Sequence, residues 1–357
     1  MSRLKRNIPA ILIFLICSMP IIYYQLGSLV YTQAAASNLE CSDHAPYNTP
    51  DNFTPHLWDE GLDEGIMEKN ETIASDMESY WFDSWENATI EVQDEPITLA
   101  AWVMENNASR PWVIIVHGIR SCKANHEVLI PAAMLHQADF NVILFDLRDH
   151  GDSTVEDGLV SAGQREYRDV LAVWSWLQVE KDVPASSIGI MGISLGAGTT
   201  AIAFDQERDI QAVFLDSPFS SMDRIISEEL EFAGFPTFLK DAAVFAGKIQ
   251  SGDNLVKFEP LSGAKHIGNR SMFITQSNDD YRIKIHHGNS MCEEAKKNVK
   301  EGGFIECWFD HSSISHFDSE EPGVLSHVTL MMTQTETYRG HLVSFFENSL
   351  PQNAAVV

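Results

Sequence analysis

The sequence predicts an α/β protein: a mostly parallel central sheet flanked by helices, with a helical cap insertion and an N-terminal membrane anchor. Three observations predict it. Short, uninterrupted apolar runs alternate with amphipathic stretches, which is the pattern of strands covered on both faces. One such run enters Gly192-Ile193-Ser194-Leu195-Gly196 and is followed at once by a helix of small residues. The segment from Asn7 to Leu39 carries no charge, while Arg3, Lys5 and Arg6 precede it.

The elements follow in chain order. Ile8 to Val30 holds enough apolar residues to span a hydrocarbon core as a helix. The basic residues before it keep the N-terminus in the cytoplasm and send the rest across, so residues 1–33 read as a transmembrane anchor or signal segment. The expected protein is membrane-anchored by a single span, with the domain that follows lying outside the cytoplasm. Cleavage beside Ala34-Ala35-Ala36 would instead give a secreted form. Residues 34–86 read as an acidic linker or wrap dotted with Trp58, Trp81, Phe82 and Trp85. A single α/β domain is expected over 87–347 and a tail over 348–357. Thr89–Val92 and Ile97–Val103 form an opening antiparallel pair, and Trp112–Val116 and Asn141–Phe145 are buried strands. Helices are expected over Val128–Ala138 and Gly163–Gln178. Ser187–Met191 is the strand entering the serine turn, and Ala212–Leu215 is the next strand. After Asp216 the rhythm breaks. Residues 217–265 are helical and carry Phe219, Phe232, Phe235, Phe238 and Phe245, as a cap above the sheet would. Ser271–Thr275 and Phe304–Phe309 complete the sheet, and a helix over Thr335–Glu347 closes the domain.

The chemistry begins at Ser194. A strand running through Gly-x-Ser-x-Gly into a helix is a nucleophile elbow: the turn is so sharp that the serine takes strained backbone angles and its hydroxyl stands exposed above the sheet. A serine hydroxyl needs a histidine base, and the base needs an orienting carboxylate. Two aspartates, Asp279 and Asp280, lie on the loop after the strand ending near Thr275, and the spacing to Ile283 favours Asp280. The base comes from the tail. His327 is favoured, because it leaves a short loop into the last helix, and His316 is the alternate. The backbone N–H groups of Ile119 and Leu195 are placed to form an oxyanion hole. His117 and the Asp146–Ser153 loop read as structural.

Val116-His117-Gly118, Asp146-x-Arg148-x-His150-Gly151-x-Ser153, Gly192-x-Ser194-x-Gly196 and the tail of His327, Tyr338 and Phe345-Phe346 together resemble the α/β-hydrolase superfamily. The likeness is to its membrane-anchored or exported esterase-like branch, similar in motif layout to serine aminopeptidases and monoacylglycerol lipases, and it covers residues 87 to 347. It implies a serine hydrolase that cleaves an ester through an acyl-enzyme, of carboxylesterase or lipase-like type, acting on a small-molecule or lipid-like ester. An exported peptidase or thioesterase is the rival enzyme, and a non-catalytic binding protein of the same fold is the rival from another class.

The net charge of −27 bears on partners. Between Glu40 and Glu105 there are 17 acidic residues and one basic residue, Lys69. Such a surface is repelled by polyanions, so no nucleic acid partner is expected. No Cys-x-x-Cys or other zinc spacing exists, and neither metal nor organic cofactor is called for. Cys292 and Cys307 are placed to approach each other, as a disulfide or as buried thiols.

Overall fold

A computed structural model describes residues 2–37, 47–53, 81–311 and 327–351, with the side chains of the first helix described from Cys17 onward. Helix α1 runs Ser2–Ala35. Among the described residues no helix is long and apolar enough to cross a membrane. The apolar residues expected to begin the span, Ile8 to Leu15, lie outside those whose side chains are described. The expected acidic wrap falls largely on residues 38–46 and 54–80, also outside the described residues. Its ends are ordered on the domain: Phe82 is buried against His136, and Trp85 packs on Trp102 at 5.2 Å between ring centroids.

The sheet begins with β1 (Glu86–Glu91) antiparallel to β2 (Thr98–Met104). Then come β3 (Trp112–Val116), helix α2 (His126–Gln137), β4 (Asn141–Phe145), helix α3 (Tyr167–Glu180), β5 (Ile188–Ile193), helix α4 (Leu195–Gln206) and β6 (Ala212–Asp216). The cap supplies α5 (Met222–Phe232) and α6 (Lys240–Gln250). Helix α7 (Leu261–Lys265) leads to β7 (Ser271–Ser277), α8 (His286–Asn298) and β8 (Ile305–Asp310). A short α9 (Leu330–Thr333) precedes α10 (Thr335–Ser349). The expected strands and helices are all present, with ends shifted by a few residues. The cap is shorter than expected: Gly263 of α7 packs on the backbone of Ala201 in α4, so that helix belongs to the body.

The strand order is β1-β2-β4-β3-β5-β6-β7-β8. From β4 to β8 all neighbours are parallel, and only β1 and β2 run against their partners. The connection after β3 runs to β4 on one side, and the one after β5 runs to β6 on the other. The C-terminal ends of β3 and β5 therefore open a crevice, the usual ligand position in such sheets.

Strand residues alternate between two cores. Val113, Ile115, Met191, Ile193, Phe214 and Phe273 face a layer built on α2 and α10. Ile114, Val116, Ile190, Val213, Leu215 and Ile274 face α3, α4 and α8. A period of two with both faces apolar is what a strand covered on both sides requires. Cys292 of α8 and Cys307 of β8 form a disulfide that ties the far edge of the sheet.

Candidate active site

The elbow follows from three tight approaches. Ser194 sits at φ 54°, ψ −115°, a strained region for a non-glycine residue. A side chain at Gly192 would place its Cβ 2.3 Å from the Gly196 carbonyl oxygen. One at Gly196 would come within 2.2 Å of the Val116 carbonyl oxygen. Both glycines are therefore required by backbone, not by flexibility. The Ser194 N–H donates to the Asp216 carbonyl at 2.8 Å, which pins the elbow to β6.

The sequence reading placed the serine hydroxyl in the open. The residue is instead only 8 % exposed, because the cap and α1 roof the crevice. It opens on a cavity of about 410 Å³ that Leu195, Phe219, Met222 and Ile225 make mainly apolar.

Five of the predicted residues meet here. His327 Nε2 lies 2.9 Å from Ser194 Oγ, and His327 Nδ1 lies 2.9 Å from Asp280 Oδ2. Asp280 is fixed on its other side: its Oδ1 accepts from the N–H groups of Arg282 (3.0 Å) and Ile283 (2.9 Å), and Gln276 Nε2 donates to Oδ2 at 3.3 Å. With the carboxylate accepting, the imidazole carries its proton on Nδ1, and its bare Nε2 accepts from the serine hydroxyl. Leu195 opens α4 directly after the serine. Ile119 lies on the loop after β3 and borders the same cavity, and Gly118 packs against the Ser194 side chain. The alternate acid, Asp279, turns to the Ser277 hydroxyl instead. The alternate base, His316, lies outside the described residues.

Strain clusters at this edge. Arg120, Ser217 and Val328 also have positive φ, at 56°, 52° and 58°. Val328 is β-branched and follows the histidine directly, so its strain accompanies the placing of that ring. Each such residue costs on the order of 1–3 kcal/mol, which the surrounding structure must offset.

Two carboxyls were missed in the sequence. Asp216, at the end of β6, is pushed up to about 6 by burial, against hydrogen bonds from Tyr338 Oη (2.6 Å) and Ser217 Oγ (3.0 Å). Through Tyr338 it ties α10 to the sheet beside the site. Glu127, in the first turn of α2, borders the cavity, and its carboxyl accepts no hydrogen bond among the described residues. Burial raises its pKa, with the His327 charge opposing. In sequence Glu127 looks like an ordinary acid at a helix start; nothing local marks it as facing a site. His327 itself is held above the ordinary histidine range. Burial alone would lower it, but the Asp280 charge and hydrogen bond outweigh burial, and Glu127 adds to them.

The neighbouring loops are structural, as their motifs suggested. His117 Nδ1–H donates to the Gly118 carbonyl at 2.7 Å, while Nε2 accepts from the Leu147 N–H at 3.0 Å. Burial and the adjacent His150 keep its pKa well below the usual range. Asp146 accepts from the Lys123 N–H (2.7 Å), Lys123 Nζ (2.6 Å) and the Asp152 N–H (2.9 Å). Arg148 is buried against Asp169 at 2.6 Å.

This sheet, elbow and cap define the α/β-hydrolase fold. The chain belongs to the prolyl oligopeptidase family, whose pattern matches residues 131–310. Among curated proteins it is similar to an uncharacterized protein of Mycobacterium tuberculosis, at 29% identity over 144 residues, 39% of this chain and 47% of that protein. It is also similar to human ABHD12B, at 26% identity over 199 residues, 52% of this chain and 50% of that protein. The chain thus spans about half the length of the curated relatives it matches. Among solved structures, the Pyrococcus furiosus esterase Pf2001 superposes with a TM-score of 0.58 at 20% identity, over 77% of this chain and 96% of that one. The acylaminoacyl peptidase of Pyrococcus horikoshii gives 0.53 at 16%, over 80% of this chain and 45% of that one. At these identities the structural likenesses concern the fold.

Proposed function

We propose that this enzyme hydrolyses carboxylic esters with an apolar acyl group through a Ser194–His327–Asp280 triad. The observation that carries the proposal is the unbroken chain of contacts from Asp280 through His327 to Ser194, opening on an apolar cavity. Ser194 Oγ attacks the carbonyl carbon as its proton passes to His327 Nε2. The negative charge that develops on the carbonyl oxygen is taken by the N–H groups of Ile119 and Leu195, each worth about 3 kcal/mol of barrier. The imidazolium, held by Asp280, then protonates the leaving alkoxide. Water, deprotonated by the same histidine, splits the acyl-enzyme and releases the acid.

A second reading, amide hydrolysis, rests on Glu127 and on the family's name. A carboxyl at the cavity wall that accepts no hydrogen bond among the described residues suits a substrate amine. Turnover of p-nitrophenyl esters of graded acyl length, set against aminoacyl p-nitroanilides, tests the choice. Ester turnover that dominates supports the first reading, and anilide turnover that dominates, and falls on Glu127→Gln, supports the second. Labelling by a fluorophosphonate separates both from a binding protein that only keeps the fold.

The same reading holds the protein at a membrane through the start of α1, with the catalytic domain outside the cytoplasm. The Cys292–Cys307 disulfide suits an oxidising compartment. Protease added to intact cells is expected to digest the domain, and full protection would refute the placement.

A further inference from the structure

One wall of the cavity comes from an unexpected place. Val30, Tyr31, Ala34 and Ala35, the last turns of α1, line the same cavity as Ser194 and His327. This segment read in sequence as the end of an anchor and the start of a linker. It is built into the domain on two sides.

On one side α1 docks on α6 of the cap. Gly27 lies so close that an added Cβ would sit 2.2 Å from the Ala242 carbonyl oxygen. Val30, Tyr31 and Ala35 join Leu230, Leu239, Ala243, Ala246 and Leu255 in one apolar cluster. Tyr31 Oη and Ser251 Oγ are 2.9 Å apart, and burial pushes the phenol up to about 12, so the hydroxyl stays protonated.

On the other side the helix end is tied to the catalytic edge of the sheet. The Val160 N–H donates to the Ala35 carbonyl at 2.7 Å, and the Ser37 N–H donates to the Gly158 carbonyl at 3.0 Å. Arg120 directly follows Ile119 on the oxyanion loop. Its Nε donates to the Ala36 carbonyl at 3.2 Å and its Nη2 to the Gln33 carbonyl at 3.4 Å. A cation on the free carbonyls of a helix C-terminus is the favourable sign of charge there. The N-terminal helix is thereby attached to the residue next to the reacting centre.

We infer that the C-terminal turns of α1 form the far wall of the acyl pocket, and that Ala34, with Ala35 behind it, sets the length of apolar chain the enzyme accepts. The inference rests on the proposed serine hydrolase reading. Small side chains at these positions leave the cavity its depth. It also requires that the segment stay on the mature enzyme, since cleavage beside Ala34-Ala35-Ala36 would carry the wall away.

The test uses the full-length protein and alkyl fluorophosphonates of graded chain length, whose alkyl group occupies the place of the acyl chain. Ser194 Oγ forms a bond to phosphorus, the phosphorus–fluorine bond breaks, fluoride leaves, and the serine proton passes to His327. Labelling rates of wild type, Ala34→Phe, Gly27→Leu and Leu29→Phe are compared for a methyl and a dodecyl probe. Ala34→Phe is expected to lower the dodecyl-to-methyl rate ratio tenfold or more, because the ring fills the far end of the cavity. Gly27→Leu pushes α1 off Ala242 from outside the cavity and is expected to flatten the dependence on chain length. Leu29→Phe, on the exposed face of α1, is expected to match wild type. An Ala34→Phe ratio equal to that of wild type would overturn the inference, as would an equal loss of both rates. Should wild type resist every probe, the serine hydrolase reading falls and takes this one with it. If the rates behave as expected but no ester is turned over, only the choice of ester is wrong and the wall stands.

Discussion

Around Ser194 the backbone is committed in every direction, whereas the cap above it is held by a few helix contacts and by surface ion pairs. Gly192 and Gly196 cannot take a Cβ, Ser194 is bonded to β6 through Asp216, and the two cores below the elbow are closed by fully buried side chains. In the cap, Phe238 is 76 % exposed and Phe245 49 %. Arg282 pairs with Glu229, Lys240 with Asp223 and Lys284 with Glu231, all at least partly in solvent. Exposed pairs of that kind contribute about 0–1 kcal/mol each. The difference teaches a division of labour: the sheet edge fixes the chemistry, and the cap with α1 fixes what reaches it. Substitutions at the edge should change rate for every substrate, and substitutions above it should change preference.

The largest effect is expected at the nucleophile. Ser194→Ala should abolish ester turnover while thermal unfolding stays within a few degrees of wild type. Residual hydrolysis within tenfold of wild type would break the comparison at its root. His327→Ala should follow, at about five to six orders of magnitude in kcat, because members of a triad act as a unit. His316→Ala should cost far less; a dead His316 variant beside an active His327 variant would reverse the assignment.

Asp280→Asn comes next, at about four orders in kcat, through loss of the imidazole tautomer. It also carries a pH signature. His327 must be neutral to act as base, and its pKa is raised by Asp280, so kcat/KM falls as pH drops through that raised value. Removing the carboxylate moves this acid limb to lower pH. Arg282→Ala, on the loop after β7, acts with the opposite sign: it removes a cation that lowers the His327 pKa, and the limb moves slightly to higher pH. A pH–rate profile of the two variants checks both directions.

A smaller loss, about a hundredfold, is expected for Gly196→Ala. Its Cβ would press on the carbonyls of Val116 and His117 and shift the loop that carries Ile119. Overpacking of this kind costs about 1–3 kcal/mol, visible as a lowered melting temperature.

Much of the sheet edge was legible in the sequence, because its determinants are local. Uninterrupted runs such as Trp112–Val116 mark buried strands, and a serine between two glycines at a strand end marks an elbow. The order of serine, acid and histidine then limited the partners to a few residues. What was not legible depends on distant packing. Nothing near Glu127 says that α2 turns this acid toward His327. Nothing near Ala34 says that a helix reading as an anchor folds back against α6. The burial of Ser194 was missed for the same reason, since the roof comes from segments far away in the chain. Phe232 and Phe219 do border the cavity, but Phe238 faces solvent, so the richness of the cap in phenylalanine had more than one cause.

The central claim is that one serine, activated by one histidine, does the chemistry. Fluorophosphonate labelling of full-length wild type and His327→Ala, with the modified residue located by peptide mass spectrometry, tests it most directly. The account predicts a single adduct on Ser194 in wild type and a labelling rate lower by several orders of magnitude in the variant. An adduct on another residue, or equal rates in the two proteins, would contradict it.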